Sequence, residues 1–193
     1  RLQAAEEEQR EQTKKRNKLL YQSEHDELTG LYNKRSLNRY LEDVFEACKL
    51  NEKELGILFL DIDYFKQLND RYGHGKGDEG ICAVADTLKR IFPEDYVARY
   101  GGDEFLVVMP ERDLTYAMEH AELLCAGIRE CKIPNEDSEV ESWLTISVGG
   151  VCAIPKEPNR VWDFLSAADN TLYEQKKEQK GKVRFYQGEG KYL

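Results

Sequence analysis

The chain has 193 residues, with 37 Asp and Glu against 28 Lys and Arg, a formal net charge of −9 and 40% apolar residues. That length suffices for one globular domain with its own core. The acidic balance excludes a general phosphate-backbone binder, so no nucleic-acid partner is expected. No run approaches the roughly 20 apolar residues of a membrane span, and no signal peptide is recognisable. Because the chain begins at Arg1 without methionine, we expect the cytoplasmic domain of a longer protein, joined to a membrane only through segments absent from this chain. The five cysteines are odd in number and none forms a Cys-x-x-Cys pair, so buried, reduced thiols are expected.

Residues 1–25 read as a solvated helical stalk. A heptad seam runs through Leu2, Ala5, Gln9, Gln12, Arg16 and Leu19, but its middle is polar, so a coiled coil and a lone helix both fit. The globular pattern begins at Asp26 with a loop to Asn33. An amphipathic helix follows over 34–50, then a strand over 55–62 that is apolar on both faces, and a short helix over 63–72. Gly73–Asp78 reads as a glycine-rich loop and Glu79–Phe92 as a helix closed by Pro93. Two apolar runs within 96–109 meet at Gly101-Gly102, which predicts a tight hairpin with glycines at positive φ. A helix over 114–130, an acidic surface loop over 134–141 and a strand over 143–154 come next, the last with a bulge expected at Gly149-Gly150. A helix over 161–180 and a short strand over 183–186 complete the pattern. One mixed layer of strands with helices packed over it follows from this order.

The chemistry concentrates at two strand ends. Asp61 and Asp63 close the strand over 55–62, and Asp103 and Glu104 follow the glycine pair. Bringing these ends together would make a divalent-cation site beside a backbone that glycine leaves open to a ligand.

Arg99-Tyr-Gly-Gly-Asp-Glu-Phe105 resembles the signature of the GGDEF family, the diguanylate cyclases. Five further stretches resemble that family in register: Asp26-Glu-Leu-Thr-Gly-Leu-Tyr-Asn-Lys-Arg35, Asp61-Ile-Asp-Tyr-Phe-Lys-Gln-Leu-Asn-Asp70, Gly73-His74 with Gly77-Asp78, Thr145-Ile-Ser-Val-Gly149, and Ala168-Asp with Leu172-Tyr173 followed by lysines. The resemblance covers about 26–186. It implies an α+β, palm-like fold with a central, mostly antiparallel sheet flanked by helices, on an N-terminal helical stalk. It also implies condensation of two GTP into cyclic di-GMP with release of two pyrophosphates, by a homodimer joined through the stalk or through facing active sites and controlled by an upstream signalling segment.

On that resemblance, Asp61, Asp103 and the Ile62 carbonyl are expected to hold Mg2+ or Mn2+, two ions per site, with Glu104 serving the second ion or its waters. Asp103 and Glu104 are the catalytic candidates. Asp63 has a weaker claim and orients its neighbours. Asn69 and Asp78 are expected to read guanine, an amide and a carboxylate suiting the base's carbonyl and N–H edge. Asn69 also suits a helix C-cap, and His74, expected to line the same pocket, also suits a backbone-bonded loop position. Tyr64, Phe65 and Lys66 are expected near the phosphates. Lys176 and Lys180, four apart on one helix face, are expected to grip the triphosphate, although two solvated lysines would look the same.

Two departures from the family pattern stand out. Lys180 occupies an arginine position, which keeps charge but loses the bidentate fork. The inhibitory product site, Arg-x-x-Asp in many members, reads Phe92-Pro-Glu-Asp95 here, so only Asp95 remains. The alternative reading is a catalytically weak regulatory module that binds GTP or a cyclic dinucleotide.

Overall fold

The computed structural model describes residues 2–188, with side chains from Glu6 onward. In chain order the elements are α1 (Leu2–Glu24), β1 (Tyr32–Asn33), α2 (Lys34–Leu50), β2 (Leu55–Ile62), α3 (Phe65–Tyr72), α4 (His74–Ile91), β3 (Tyr96–Arg99), β4 (Glu104–Pro110), α5 (Leu114–Glu130), β5 (Ile146–Ala153), α6 (Val161–Glu178) and β6 (Val183–Phe185). They build a six-stranded sheet in the order β1-β3-β4-β2-β5-β6. The inner pairs β3-β4, β4-β2 and β2-β5 are antiparallel, while both edge pairs, β1-β3 and β5-β6, are parallel. The expected mostly antiparallel sheet is therefore present, with parallel strands confined to its margins.

Strand alternation sends the two faces of β2 into two separate cores. Leu58, Leu60 and Ile62 pack with Leu68, Ile81, Val84, Leu88, Ala121 and Leu124 from α3, α4 and α5. Leu55, Ile57 and Phe59 pack with Leu37, Leu41, Phe45, Phe164 and Leu172 from α2 and α6. The result is three layers, with helices on both faces of the sheet. In α2, Leu37, Leu41, Phe45 and Cys48 recur on one face and are buried, and Asn33 caps the helix by accepting from Ser36 N–H. Each such large side chain taken out of water contributes about 1.5–3 kcal/mol.

Helix α1 is exposed from Glu6 to Ser23 and is held by its end. The Asn33 amide and the Ser36 hydroxyl donate to its last carbonyls, Ser23 O at 2.9 Å and Glu24 O at 3.0 Å. Stacked rings continue the joint through Tyr21, His25, Tyr32, Tyr96 and Tyr40, with neighbouring centroids 3.9–4.5 Å apart. The side chains of Leu2 and Ala5, the first positions of the heptad seam, lie outside the described residues, as do residues 189–193. Among the described residues no helix is long and apolar enough to cross a membrane.

Several expectations are corrected. The supposed loop Gly73–Asp78 is mostly the first turn of α4, which starts at His74; Gly73 alone, at φ 86°, joins it to α3. Gly149-Gly150 makes no bulge, since both residues stay in unbroken register with β2. They are small because a Cβ at Gly149 would lie 2.2 Å from Leu172 N on α6, and one at Gly150 would lie 2.4 Å from the Phe185 ring. The glycines at positive φ among the described residues are Gly30, Gly73, Gly181 and Gly188, so Gly101-Gly102 does not form the predicted positive-φ turn. Helix α6 stops at Glu178 and leaves Lys180 beyond it, so Lys176 and Lys180 do not share a helix face. The acidic loop is less free than expected: Asn135 is fully buried, and Arg71 pairs with Glu136 and Asp137. Of the five free thiols only Cys48 and Cys125 are buried, and Cys131 is exposed.

Candidate active site

The two acidic strand ends meet. Asp61 and Glu104 are direct partners across β2 and β4, and Ile62 N–H donates to Asp103 O at 3.2 Å, fastening the end of β2 to the bend. Lys176 reaches in from α6 and donates to Asp61 Oδ1 at 2.7 Å. Burial, followed by repulsion from Asp61, raises the Asp103 pKa above 3.8; Lys176 and Arg99 only partly offset this. Glu104 is raised above 4.5 for the same reasons, with Asp103 and Asp169 adding further repulsion. The donor set is hard oxygen, crowded and negatively charged, which fits Mg2+ or Mn2+ better than a softer metal. Among the described residues the acidic side chains are not already gathered as a closed metal cluster, and Lys176 stands against Asp61.

Arg99 shapes the bend, a role that sequence reasoning missed although the residue was quoted in the motif. Its guanidinium donates to Gly101 O and Gly102 O, at 2.7–3.2 Å, and binds both oxygens of Asp26 at 3.1 and 3.2 Å. Asp26 is held in turn by the Thr29 N–H and hydroxyl. A Cβ at Gly102 would meet nothing within 4 Å, so the tip of the bend is open space. The usable signal was an arginine two residues before a glycine pair, with an unassigned Asp in the Asp26 motif. Asp169 was also missed; it lies on the exposed side of α6, two turns before Lys176.

Asp63 is a structural knot. It is buried, accepting from the Thr145 hydroxyl at 2.8 Å and the Ser147 hydroxyl at 2.6 Å. Burial raises its pKa, and those two hydrogen bonds oppose the shift. Ser147 Oγ also accepts from Gly181 N–H at 3.0 Å, so one network orders the turn after β2 and the segment carrying Lys180.

That turn ends at Tyr64, at φ 53°, and starts α3 with no side-chain cap. The first amides of α3, from Phe65 and Lys66 onward, are therefore oriented for an anion. The Lys180 ammonium lies 3.9 Å from the centre of the Tyr64 ring, beside the same turn. Asn69 is inside α3 rather than at its C-cap, which is Gly73. Asp78 and His74 lie exposed on the first turns of α4, across Gly73 from Asn69. Asn69 Oδ1 is buried without a hydrogen-bond partner among the described residues.

At the other end of β3, the Asp95 side chain is only 1% exposed. It accepts from the Tyr116 hydroxyl at 2.7 Å and faces Arg112 Nε at 3.6 Å. Burial and Asp95 push the Tyr116 phenol up to about 12, so it remains a proton donor.

A family model described as "Diguanylate cyclase, GGDEF domain" matches residues 23–182. The probable diguanylate cyclase DgcC of Escherichia coli is 32% identical over 163 residues, which cover 84% of this chain and 43% of the relative. The diguanylate cyclase VdcA of Vibrio cholerae is 35% identical over 153 residues, 78% of this chain and 43% of the relative. The chain thus spans less than half the length of these curated relatives. The coiled coil and GGDEF domain of DgcB from Caulobacter crescentus, crystallised in complex with c-di-GMP, matches with a TM-score of 0.85 at 24% identity, over 96% of this chain and 97% of that one; this likeness carries the fold. The family match over most of the length, together with relatives above 30% identity, means that this chain belongs to the GGDEF family.

Proposed function

We propose that residues 26–193 act as a diguanylate cyclase domain and residues 1–25 as the stalk that couples it to an upstream signal. The reaction joins two GTP molecules into cyclic di-GMP and releases two pyrophosphates. The observation that carries this reading is the meeting of Asp61, Asp103 and Glu104 beside Lys176, next to an uncapped helix start and the Asn69–Asp78 pair.

Asn69 and Asp78 hold guanine by its polar edge, with His74 lining the pocket. The amides of Phe65 and Lys66, in the turn begun by Tyr64, hold phosphate oxygens with Lys176 and Lys180. Asp61, Asp103, Glu104 and the Ile62 carbonyl would hold the divalent ions, which supply charge neutralisation for the triphosphate and the departing pyrophosphate. Asp103 is also suited by its position on the bend to take the proton from the attacking 3′-hydroxyl. A bond forms from that oxygen to the α-phosphorus of the facing GTP, and the bond from that phosphorus to pyrophosphate breaks. Two such attacks close the ring, so two domains must face one another.

In this reading the product site is degenerate: Phe92, a buried phenylalanine, takes the arginine position of the motif, and Asp95 is engaged by Tyr116 and Arg112. Inhibition by micromolar cyclic di-GMP that disappears in Asp95→Ala would contradict this.

Turnover of GTP with Mg2+, followed across protein concentrations beside Asp103→Ala, tests the function. Pyrophosphate release per protomer that rises with concentration and is absent in Asp103→Ala supports the cyclase. GTP binding without release supports the regulatory module, for which the absence of an arginine fork at Lys180 is the specific argument.

A further inference from the structure

Helix α4 opens with three glycines, Gly75, Gly77 and Gly80, and the space around them differs sharply. A Cβ at Gly75 would meet nothing within 4 Å. One at Gly80 would touch Leu68 and Leu144 at 3.5 Å, an ordinary contact. One at Gly77 would lie 1.9 Å from Asn69 Oδ1, 2.9 Å from its Cγ and 3.2 Å from its Nδ2. Gly77 is buried and helical, where alanine would favour the helix. The position therefore forgoes helix stability to leave room for one side-chain amide. That amide carries a buried oxygen with no hydrogen-bond partner among the described residues.

We propose that Gly77 is a specificity-positioning residue for the nucleobase: its missing side chain is the seat in which the Asn69 amide lies, one residue before Asp78. This rests on the reading of Asn69 and Asp78 as guanine readers and goes beyond it. With a methyl group at 77, the short Asn69 side chain must swing out of its seat while α3 and α4 keep their packing. Guanine then loses a hydrogen bond that adenine never made, so selectivity falls while the fold is kept.

The test is equilibrium binding of GTP and ATP, with Mg2+, to the wild type, Gly77→Ala, Asn69→Ala and the double variant, each with a thermal melt. We expect Gly77→Ala to weaken GTP binding about tenfold, the size of one lost hydrogen bond, and to leave ATP binding unchanged. Its melting temperature should equal or exceed that of the wild type, and Gly77→Ala should add nothing to Asn69→Ala. Gly80→Ala should bind GTP like the wild type. The inference is overturned if Gly77→Ala keeps its preference for GTP, if it costs as much without Asn69 as with it, or if it melts lower than the wild type. If Asn69→Ala itself binds GTP normally, the assignment of the base reader falls instead. A wild type that binds GTP selectively without releasing pyrophosphate removes the cyclase reading and leaves the role of Gly77 standing.

Discussion

Two acidic corners lie at the two ends of strand β3 and are built in opposite ways. At its start, Asp95 is enclosed, with a phenolic hydroxyl and a guanidinium turned towards it. Past its far end, Asp103 and Glu104 face Asp61, with Lys176 donating to that carboxylate, and the glycine bend beside them is open at Gly102. Burial and mutual repulsion raise the pKa of both groups at the open corner. A carboxylate with its partners supplied by the protein is a structural element. Carboxylates left in conflict around open space are arranged for a ligand that brings positive charge.

The comparison breaks most easily at Asp103. Asp103→Asn should lower GTP turnover on the order of a hundredfold or more, because the site loses both an anionic oxygen and its proton acceptor. The same change should raise the melting temperature of the metal-free protein at neutral pH. The sign follows from the raised pKa: the folded state holds a proton that the unfolded chain releases near 3.8, so this stabilisation is complete below 3.8 and is lost as pH rises through the raised value. A neutral amide at this position has no charge to repel Asp61. Turnover should run the other way and fall on acidification, because protons compete with the divalent ions for these carboxylates. A melt series and a pH–rate profile on the same preparation check both signs.

Arg99→Ala should be next in size. It leaves Asp26 and the carbonyls of Gly101 and Gly102 without their shared donor, so we expect about 1–3 kcal/mol of lost stability, read by urea denaturation, together with lower turnover. Asp95→Ala should cost only about 1 kcal/mol through the orphaned Tyr116 hydroxyl. Its turnover, and its response to added cyclic di-GMP, should match the wild type. The smallest effect belongs to Lys180→Arg, which restores a planar fork at the edge of the open corner. A fall in the KM for GTP of about two- to fivefold with unchanged kcat is expected, the direction given by bidentate phosphate binding.

Much of the fold was legible because its signals are local. The spacing of Leu37, Tyr40, Leu41, Val44 and Phe45 marked α2, and the run 55–62, apolar apart from Asp61, matched β2. Glycine was read least well. The sequence pattern made a loop of 73–78, a bulge of Gly149-Gly150 and a positive-φ turn of Gly101-Gly102. In each case glycine answers to its surroundings in the fold, which a local pattern does not record: the Asn69 amide, the backbone of α6 with the Phe185 ring, and the open space at Gly102. Lys180 left its expected helix because Gly181, at φ 75°, is tied to Ser147 and Arg129.

The residues by themselves determined the set of chemical groups, their order and the family to which they belong. Only the folded chain decided which group answers which: Lys176 to Asp61 across 115 positions, Ser147 to Asp63 across 84, and Arg99 to Asp26 across 73. The reason is physical. Periodicity records whether a side chain faces the core or the solvent, whereas charge and hydrogen-bond partners depend on distances of a few ångström that exist only after the sheet has brought remote strands together.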